Sequence, residues 1–339
     1  MVKPLRETRW IWDYRVEFCT FHATDVIARI CRPAAPYRIP GSSGMSLMMI
    51  TLEAQLLVDC HATLGEGIQW NPARRRVYWT DVKGRTLWSC QEDGSGVARL
   101  DLETGLCSFA FSDDGRILGA FEDGLAWLDP VSGRRTLFEP YQPDKPTTRM
   151  NDGALDRQGR FVVGGIDEAE LAPITPVWTV TRGEVRTIID GVGCANSTAF
   201  SPDGSRMYFA DSPTGEIQVF DYDIGRGIPS NRRVFARLRP SEGVPDGSTV
   251  DSQGGVWNAQ YGGGAVQRFL PDGSRDIRIV VPAPNVTDCA IGGIKFQRMF
   301  ITTARQELDD RTLEENPLSG AVFHVDLPVS GLPAGTYRR

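Results

Sequence analysis

The sequence predicts an all-β chain folded as a six-bladed β-propeller, and three observations predict it. A short phrase recurs six times, its copies start 41 to 50 residues apart, and no interval between them carries a long helical period. The phrase is an apolar anchor, a polar turn with Asp, Pro or Gly, and a short run of β-prone residues.

The copies follow in order. Trp70-Asn71-Pro72 leads to Val77-Tyr78-Trp79, and Phe111-Ser112-Asp113-Asp114-Gly115 leads to Ile117-Leu118. Leu155-Asp156-Arg157-Gln158-Gly159 leads to Phe161-Val162-Val163, and Phe200-Ser201-Pro202-Asp203-Gly204 leads to Met207-Tyr208-Phe209. Val250-Asp251-Ser252-Gln253-Gly254 leads to Val256-Trp257, and a degenerate sixth copy, Ile291-Gly292-Gly293, leads to Met299-Phe300-Ile301. Each interval is long enough for four short strands with their turns, the size of one blade. Asp-Gly and Gln-Gly supply the positive-φ residue that a tight hairpin needs. Thr86-Leu87-Trp88 and Ile217-Gln218-Val219-Phe220 are further strand candidates inside the intervals. Six such units close into a ring and protect their strand edges, whereas a β-sandwich has no need of six equal units.

Composition sets the outer bounds. The chain has 339 residues, a net charge of −6, 36 Gly and 22 Pro, which suits a turn-rich closed β fold. The acidic balance speaks against nucleic acid, and no window approaches the ~20 apolar residues that cross a bilayer. Seven cysteines (Cys19, Cys31, Cys60, Cys90, Cys107, Cys194 and Cys289) form no C-x-x-C pair and read as reduced thiols of a cytoplasmic protein. His22, His61 and His324 share no ligand spacing, which excludes a His-rich zinc motif. Residues 1–44 carry no repeat and end in a Pro-rich stretch and Gly41-Ser42-Ser43-Gly44, so they read as a flexible extension before a propeller domain at 45–339. Met45, Met48 and Met49 sit where the pattern begins, which equally fits a mis-assigned translation start.

The repeat exposes one chemically unusual register. Four residues before each anchor stand Glu66, Cys107, Asn151, Asn196, Asp246 and Thr287. Taken singly, each polar residue is an ordinary turn residue. Equivalent positions in a ring of blades share one radius and height, so Glu66, Asn151, Asn196 and Asp246 would converge if the position faces the channel. Two carboxylates and two carboxamides offer only oxygen donors, which suits Ca²⁺, Mg²⁺ or Mn²⁺ and, less naturally, Zn²⁺.

At these residues the chain resembles the gluconolactonase/regucalcin family of sugar lactonases, also called the senescence-marker-protein family. The likeness rests on Leu64-Gly65-Glu66-Gly67 with Trp70, Arg149-Met150-Asn151-Asp152-Gly153, Asn196 to Gly204 with Tyr208, Pro245-Asp246-Gly247, Thr287-Asp288-Cys289-Ala290 and Thr302-Thr303-Ala304-Arg305. It extends from about Leu56 to Pro333. The resemblance implies a six-bladed propeller and one divalent metal ion held by Glu66, Asn196 and Asp246. It also implies substrate contacts from Arg149 and Asn151, with Glu168 and Glu170 as rivals for a further acidic contact. Asn196-Ser197-Thr198 stands where the family has Asn-Gly-Leu, which keeps the ligand and alters its support.

The expected reaction is hydrolysis of a sugar (aldono-) lactone to its open-chain acid, as in bacterial sugar-acid catabolism, with Asp246 taking a proton from the attacking water. The partner is then a small-molecule sugar lactone, with no nucleic acid, membrane or obligate protein partner. Two other readings stand beside it: a calcium-binding regulatory protein without turnover, and a hydrolase of aryl esters. A guanidinium at Arg149 has no use in a pure cation site, which weighs against the first.

Overall fold

The computed structural model describes residues 49–339 of the chain; the expected extension at 1–44, with Cys19 and Cys31, lies outside the described residues. Strands dominate, and they form six sheets. Two short strands come first, β1 (Ile50–Glu53) and β2 (Gln55–Val58). Blade 1 is β3 (Gly65–Asn71), β4 (Arg76–Asp81), β5 (Thr86–Cys90) and β6 (Ala98–Asp101); blade 2 is β7 (Leu106–Phe111), β8 (Ile117–Phe121), β9 (Gly124–Leu128) and β10 (Arg135–Pro140). Blade 3 is β11 (Thr148–Leu155), β12 (Phe161–Asp167), β13 (Thr175–Thr181) and β14 (Glu184–Val192); blade 4 is β15 (Ala195–Phe200), β16 (Arg206–Asp211), β17 (Glu216–Asp223) and β18 (Ile228–Arg237). Blade 5 is β19 (Val244–Val250), β20 (Val256–Tyr261), β21 (Ala265–Phe269) and β22 (Arg275–Val280) with β1 added in parallel at its edge. Blade 6 is β23 (Val286–Gly292), β24 (Arg298–Thr303) and β25 (Val322–Asp326), completed by β2 as its outermost strand. Among the described residues there is one short α-helix, α1 (Asp310–Glu315).

The recurring phrase is the inner hairpin of each blade. Its anchor lies at or next to the end of the first strand, and its β-prone run lies in the second. The predicted turn chemistry holds: Gly115, Gly159, Gly204 and Gly254 all adopt φ between 74° and 86°. In two of these turns a buried Asp locks the loop, for Asp156 Oδ1 accepts from the Gln158 and Arg160 amides, and Asp251 Oδ1 from those of Gln253 and Gly255, all at 2.9 Å.

The first strands of successive blades pack on one another around the ring, and β23 meets β3 to close it. Each gap between blades holds its own apolar cluster. Blades 6 and 1 meet through Trp70, Trp79 and Phe300, blades 3 and 4 through Val162, Phe200 and Phe209, and blades 5 and 6 through Trp257, Ile279 and Phe323. Side chains on both faces of the second and third strands are therefore buried, which explains why those runs are apolar rather than alternating, whereas outermost strands such as β6 and β18 are largely exposed. Cys60, Cys90, Cys107, Cys194 and Cys289 carry no disulfide, in line with the expected thiols.

Candidate functional site

All six inner strands share a bulge. Pairing with the second strand slips between Glu66 and Gln69, Leu106 and Ser108, Met150 and Gly153, Asn196 and Ala199, Pro245 and Ser248, and Val286 and Asp288. A bulge interrupts strict alternation, so two successive residues can serve the same face. One ring of positions is the predicted one: Glu66, Cys107, Asn151, Asn196, Asp246 and Thr287. The next residue along forms a second ring of Gly67, Ser108, Asp152, Ser197, Gly247 and Asp288. Asp152 and Asp288 were not assigned from sequence, because period-two reasoning places them on the opposite side from Asn151 and Thr287.

Neighbouring residues aim these side chains. Asp81, the last residue of β4, accepts from the amides of Thr63 and Leu64 at 3.0 Å and sets the entry into β3 just before Glu66. Asp211, at the end of β16, accepts from the Cys194 amide at 2.9 Å and does the same before Asn196. The Asn196 side chain is fixed at both ends: its Oδ1 accepts from Asn151 Nδ2 at 3.2 Å, and its Nδ2 donates to Ser212 Oγ at 2.8 Å. Asn151 Oδ1 accepts from Arg149 Nη1 at 2.7 Å, and Arg149 Nε donates to Glu168 Oε1, also at 2.7 Å. Glu168, not Glu170, therefore faces the buried guanidinium, and Glu168 rather than Asp152 is the carboxylate partner of Arg149. Lys83 Nζ reaches the same Glu168 oxygen at 2.7 Å and Glu122 at 3.2 Å. Lys83 was missed from sequence because its neighbourhood shows no motif; only the ring brings blades 1, 2 and 3 together at this rim.

Ser197 answers the departure from Asn-Gly-Leu. It holds φ +57°, the conformation that Gly67 adopts at +58° in blade 1. Its Oγ donates to the Asp246 carbonyl at 2.6 Å and accepts from Asn258 Nδ2 at 3.0 Å. A hydrogen bond to the next blade offsets the backbone cost that glycine would avoid.

The electrostatics are those of crowded anions. Burial first, then the charges of Asp246 and Asp152, hold Glu66 well above the usual carboxylate range. Asp246 is raised in the same sense by burial and by Asp152 and Asp288. Asp288 is raised by burial, Asp152 and Glu66, and burial lifts Asp152 to about 6. Arg149 opposes the shifts of Glu66 and Asp246. Among the described residues no three His, Cys, Asp or Glu side chains form a metal-holding group. The third donor here is a carboxamide, and Glu66, Asn196 and Asp246 offer oxygens alone around a site whose mutual repulsion a cation would relieve. The residues present thus fit a hard divalent ion. A cavity of about 160 Å³ lies against the second ring, lined by Asp152, Asp288, Ile68, Thr198 and Ser248 and bounded by Leu332. Glu66, Asn196, Asp246 and Arg149 do not line it.

A family model described as "SMP-30/Gluconolactonase/LRE-like region" matches residues 64–305. An L-arabinolactonase of Azospirillum brasilense is 39% identical over 84% of this chain and 95% of its own length. A pentonolactonase of Haloferax volcanii is 31% identical over 82% of this chain and 95% of its own. A crystal structure described as a calcium-binding protein, regucalcin, from Agrobacterium tumefaciens superposes with a TM-score of 0.82 at 29% identity, covering 86% of this chain and 99% of that one.

Proposed function

The chain belongs to the SMP-30/gluconolactonase/LRE-like family, and from that premise we propose that it is a metal-dependent hydrolase of aldonolactones, with five-carbon lactones the first candidates. The observation that carries the reading is the hydrogen-bonded run from Glu168 through Arg149 and Asn151 to Asn196. It leads from the groups that would contact the sugar to the Asn196 carboxamide, one of the three oxygen donors expected to hold the metal.

Glu66, Asn196 and Asp246 would hold a divalent cation, whose positive charge would stabilise the oxyanion formed from the lactone carbonyl. The remaining work falls to the chain. Arg149 and Asn151 orient the lactone ring by hydrogen bonds, and Glu168 accepts from a sugar hydroxyl. Asp246 takes a proton from water as its oxygen adds to the carbonyl carbon. The ring C–O bond then breaks, and the departing alkoxide takes up the proton that Asp246 received, which gives the open-chain acid and returns Asp246 to its carboxylate. A cation held beside Asp246 would lower its proton affinity, so its role as base depends on a water that the same cation would acidify. Arg149 favours turnover over cation binding alone, because a guanidinium beside a cation weakens the cation's binding.

The test uses metal-depleted protein with a panel of pentono- and hexonolactones, reconstituted in turn with Ca²⁺, Mg²⁺, Mn²⁺ and Zn²⁺. Acid release in a pH-stat is expected for at least one lactone and is abolished by chelator. Cation binding without hydrolysis of any lactone, or hydrolysis indifferent to chelator, overturns the proposal.

A further inference from the structure

The hydrogen bonds around Asn196 have a fixed polarity, because the chain they form ends in groups that can act in only one sense. Arg149 has no acceptor atom, so Asn151 must turn its oxygen toward Nη1 and its NH₂ toward Asn196. At the other end, the Ser212 hydroxyl donates to the Pro245 carbonyl at 2.7 Å, and a carbonyl can only accept. A serine hydroxyl has one proton, so Ser212 Oγ is left as an acceptor toward Asn196. The Asn196 NH₂ must then face Ser212, and its Oδ1 must face Asn151. Ser212 and Asn196 are both buried, at 5% exposure each, so water offers no ready substitute. The other neighbour of Nδ2, Cys194 Sγ at 3.6 Å, is a weak acceptor.

We propose that Ser212 is a positioning residue that locks the Asn196 carboxamide with its oxygen, rather than its nitrogen, available as a metal donor. It also ties that donor to the backbone immediately before Asp246, across the joint between blades 4 and 5. The inference rests on the metal-site reading above. Ser212 touches neither the proposed cation nor the substrate. It acts through Asn196 alone, as an outer-shell partner that holds the orientation of an inner ligand.

The experiment measures Mn²⁺ binding to the full-length protein by the electron paramagnetic resonance signal of the free ion, with thermal melting as the check on folding. Ser212→Ala is expected to raise the Mn²⁺ Kd about 10-fold or more, the usual cost of removing an outer-shell partner. The same substitution is then made in an Asn196→Asp background. A carboxylate presents oxygen whichever way it turns, so there Ser212→Ala is expected to change Kd by less than about threefold, as positioning of the amide alone predicts. An unchanged Kd in folded Ser212→Ala, or equal losses in both backgrounds, overturns the role of Ser212 while leaving the metal site standing. A wild-type protein that binds no Mn²⁺, Ca²⁺, Mg²⁺ or Zn²⁺ overturns the metal site and this inference with it.

Discussion

Arg149 is the residue on which the candidate chemistry turns, because its planar fork serves two partners in different directions: Nε holds Glu168, and Nη1 holds Asn151 and the Met150 carbonyl. A lysine ammonium keeps the charge and loses the fork. Arg149→Lys should therefore lower kcat/KM for the best lactone about 10²-fold, measured by initial rates. Asp246→Asn should lower kcat by at least about 10²-fold in the same assay, since the amide cannot accept the proton of water. Ser197 gives a test that needs no substrate. Ser197→Ala keeps the φ +57° backbone cost and loses the bond to Asp246, whereas Ser197→Gly loses the bond and relieves the backbone. The Ala variant should be less stable than the Gly variant by about 1 kcal/mol in urea unfolding.

Among the elements, β19 carries Asp246 and begins just after a 3-10 turn at Pro240–Glu242. Glu242 closes that turn by accepting from the Arg239 amide at 2.8 Å, and the guanidiniums of Arg275 and Arg239 reach the same carboxylate. Burial alone would raise Glu242; the two arginines and the Arg239 amide outweigh it and bring it to about 2. A depressed folded value means that the unfolded chain binds the proton more readily. The stabilisation is thus complete above about pH 4.5, the ordinary glutamate value, and is lost as pH falls toward 2. Glu242→Gln should cost about 2 kcal/mol at pH 7, with the gap to wild type closing through that window, as read from denaturant melts at several pH values. The bulges act at this scale as well. Where they break the alternation, Asp152 and Asp288 line the cavity while Asn151 and Thr287 do not, and a glycine at 247 leaves the space that the Asp288 carboxylate occupies.

At the scale of the whole molecule, the ring is held shut from both ends of the described chain. Strand β2 completes blade 6, and the final segment runs under the ring from blade 6 to blades 2 and 3. The Gly331 amide donates to the Phe296 carbonyl at 2.7 Å, and the Tyr337 amide donates to the Phe111 carbonyl at 2.8 Å. The Tyr337 hydroxyl accepts from the Gly183 amide at 2.8 Å, and its ring packs edge-on to Trp127. Tyr337 is fully buried, so Tyr337→Ala should cost about 3 kcal/mol or more in urea unfolding. Its effect on Mn²⁺ affinity should be small, because it touches Phe111, Trp127 and the β13–β14 turn rather than the ring of Glu66, Asn196 and Asp246.

How much of this was legible follows from how local each feature is. The six hairpins were readable because an anchor, its turn and its second strand lie within about a dozen residues, and the turn residues obey local backbone rules. The ring of Glu66, Asn151, Asn196 and Asp246 was readable because a repeat turns sequence register into spatial equivalence. Asp152 and Asp288 were hidden by the bulges, which break the alternation that sequence reading assumes. Lys83 was hidden because it meets Glu168 across blades, and the choice of Glu168 over Glu170 and the pairing of Ser212 with Asn196 were hidden because each depends on how a loop beyond the second strand folds back on the first. By itself the sequence determined the blades and the height at which the polar residues stand. Only the tertiary structure decided which side chains aim at one another, because strand pairing within a blade and packing between blades set those contacts across gaps of 16 to 85 residues of chain.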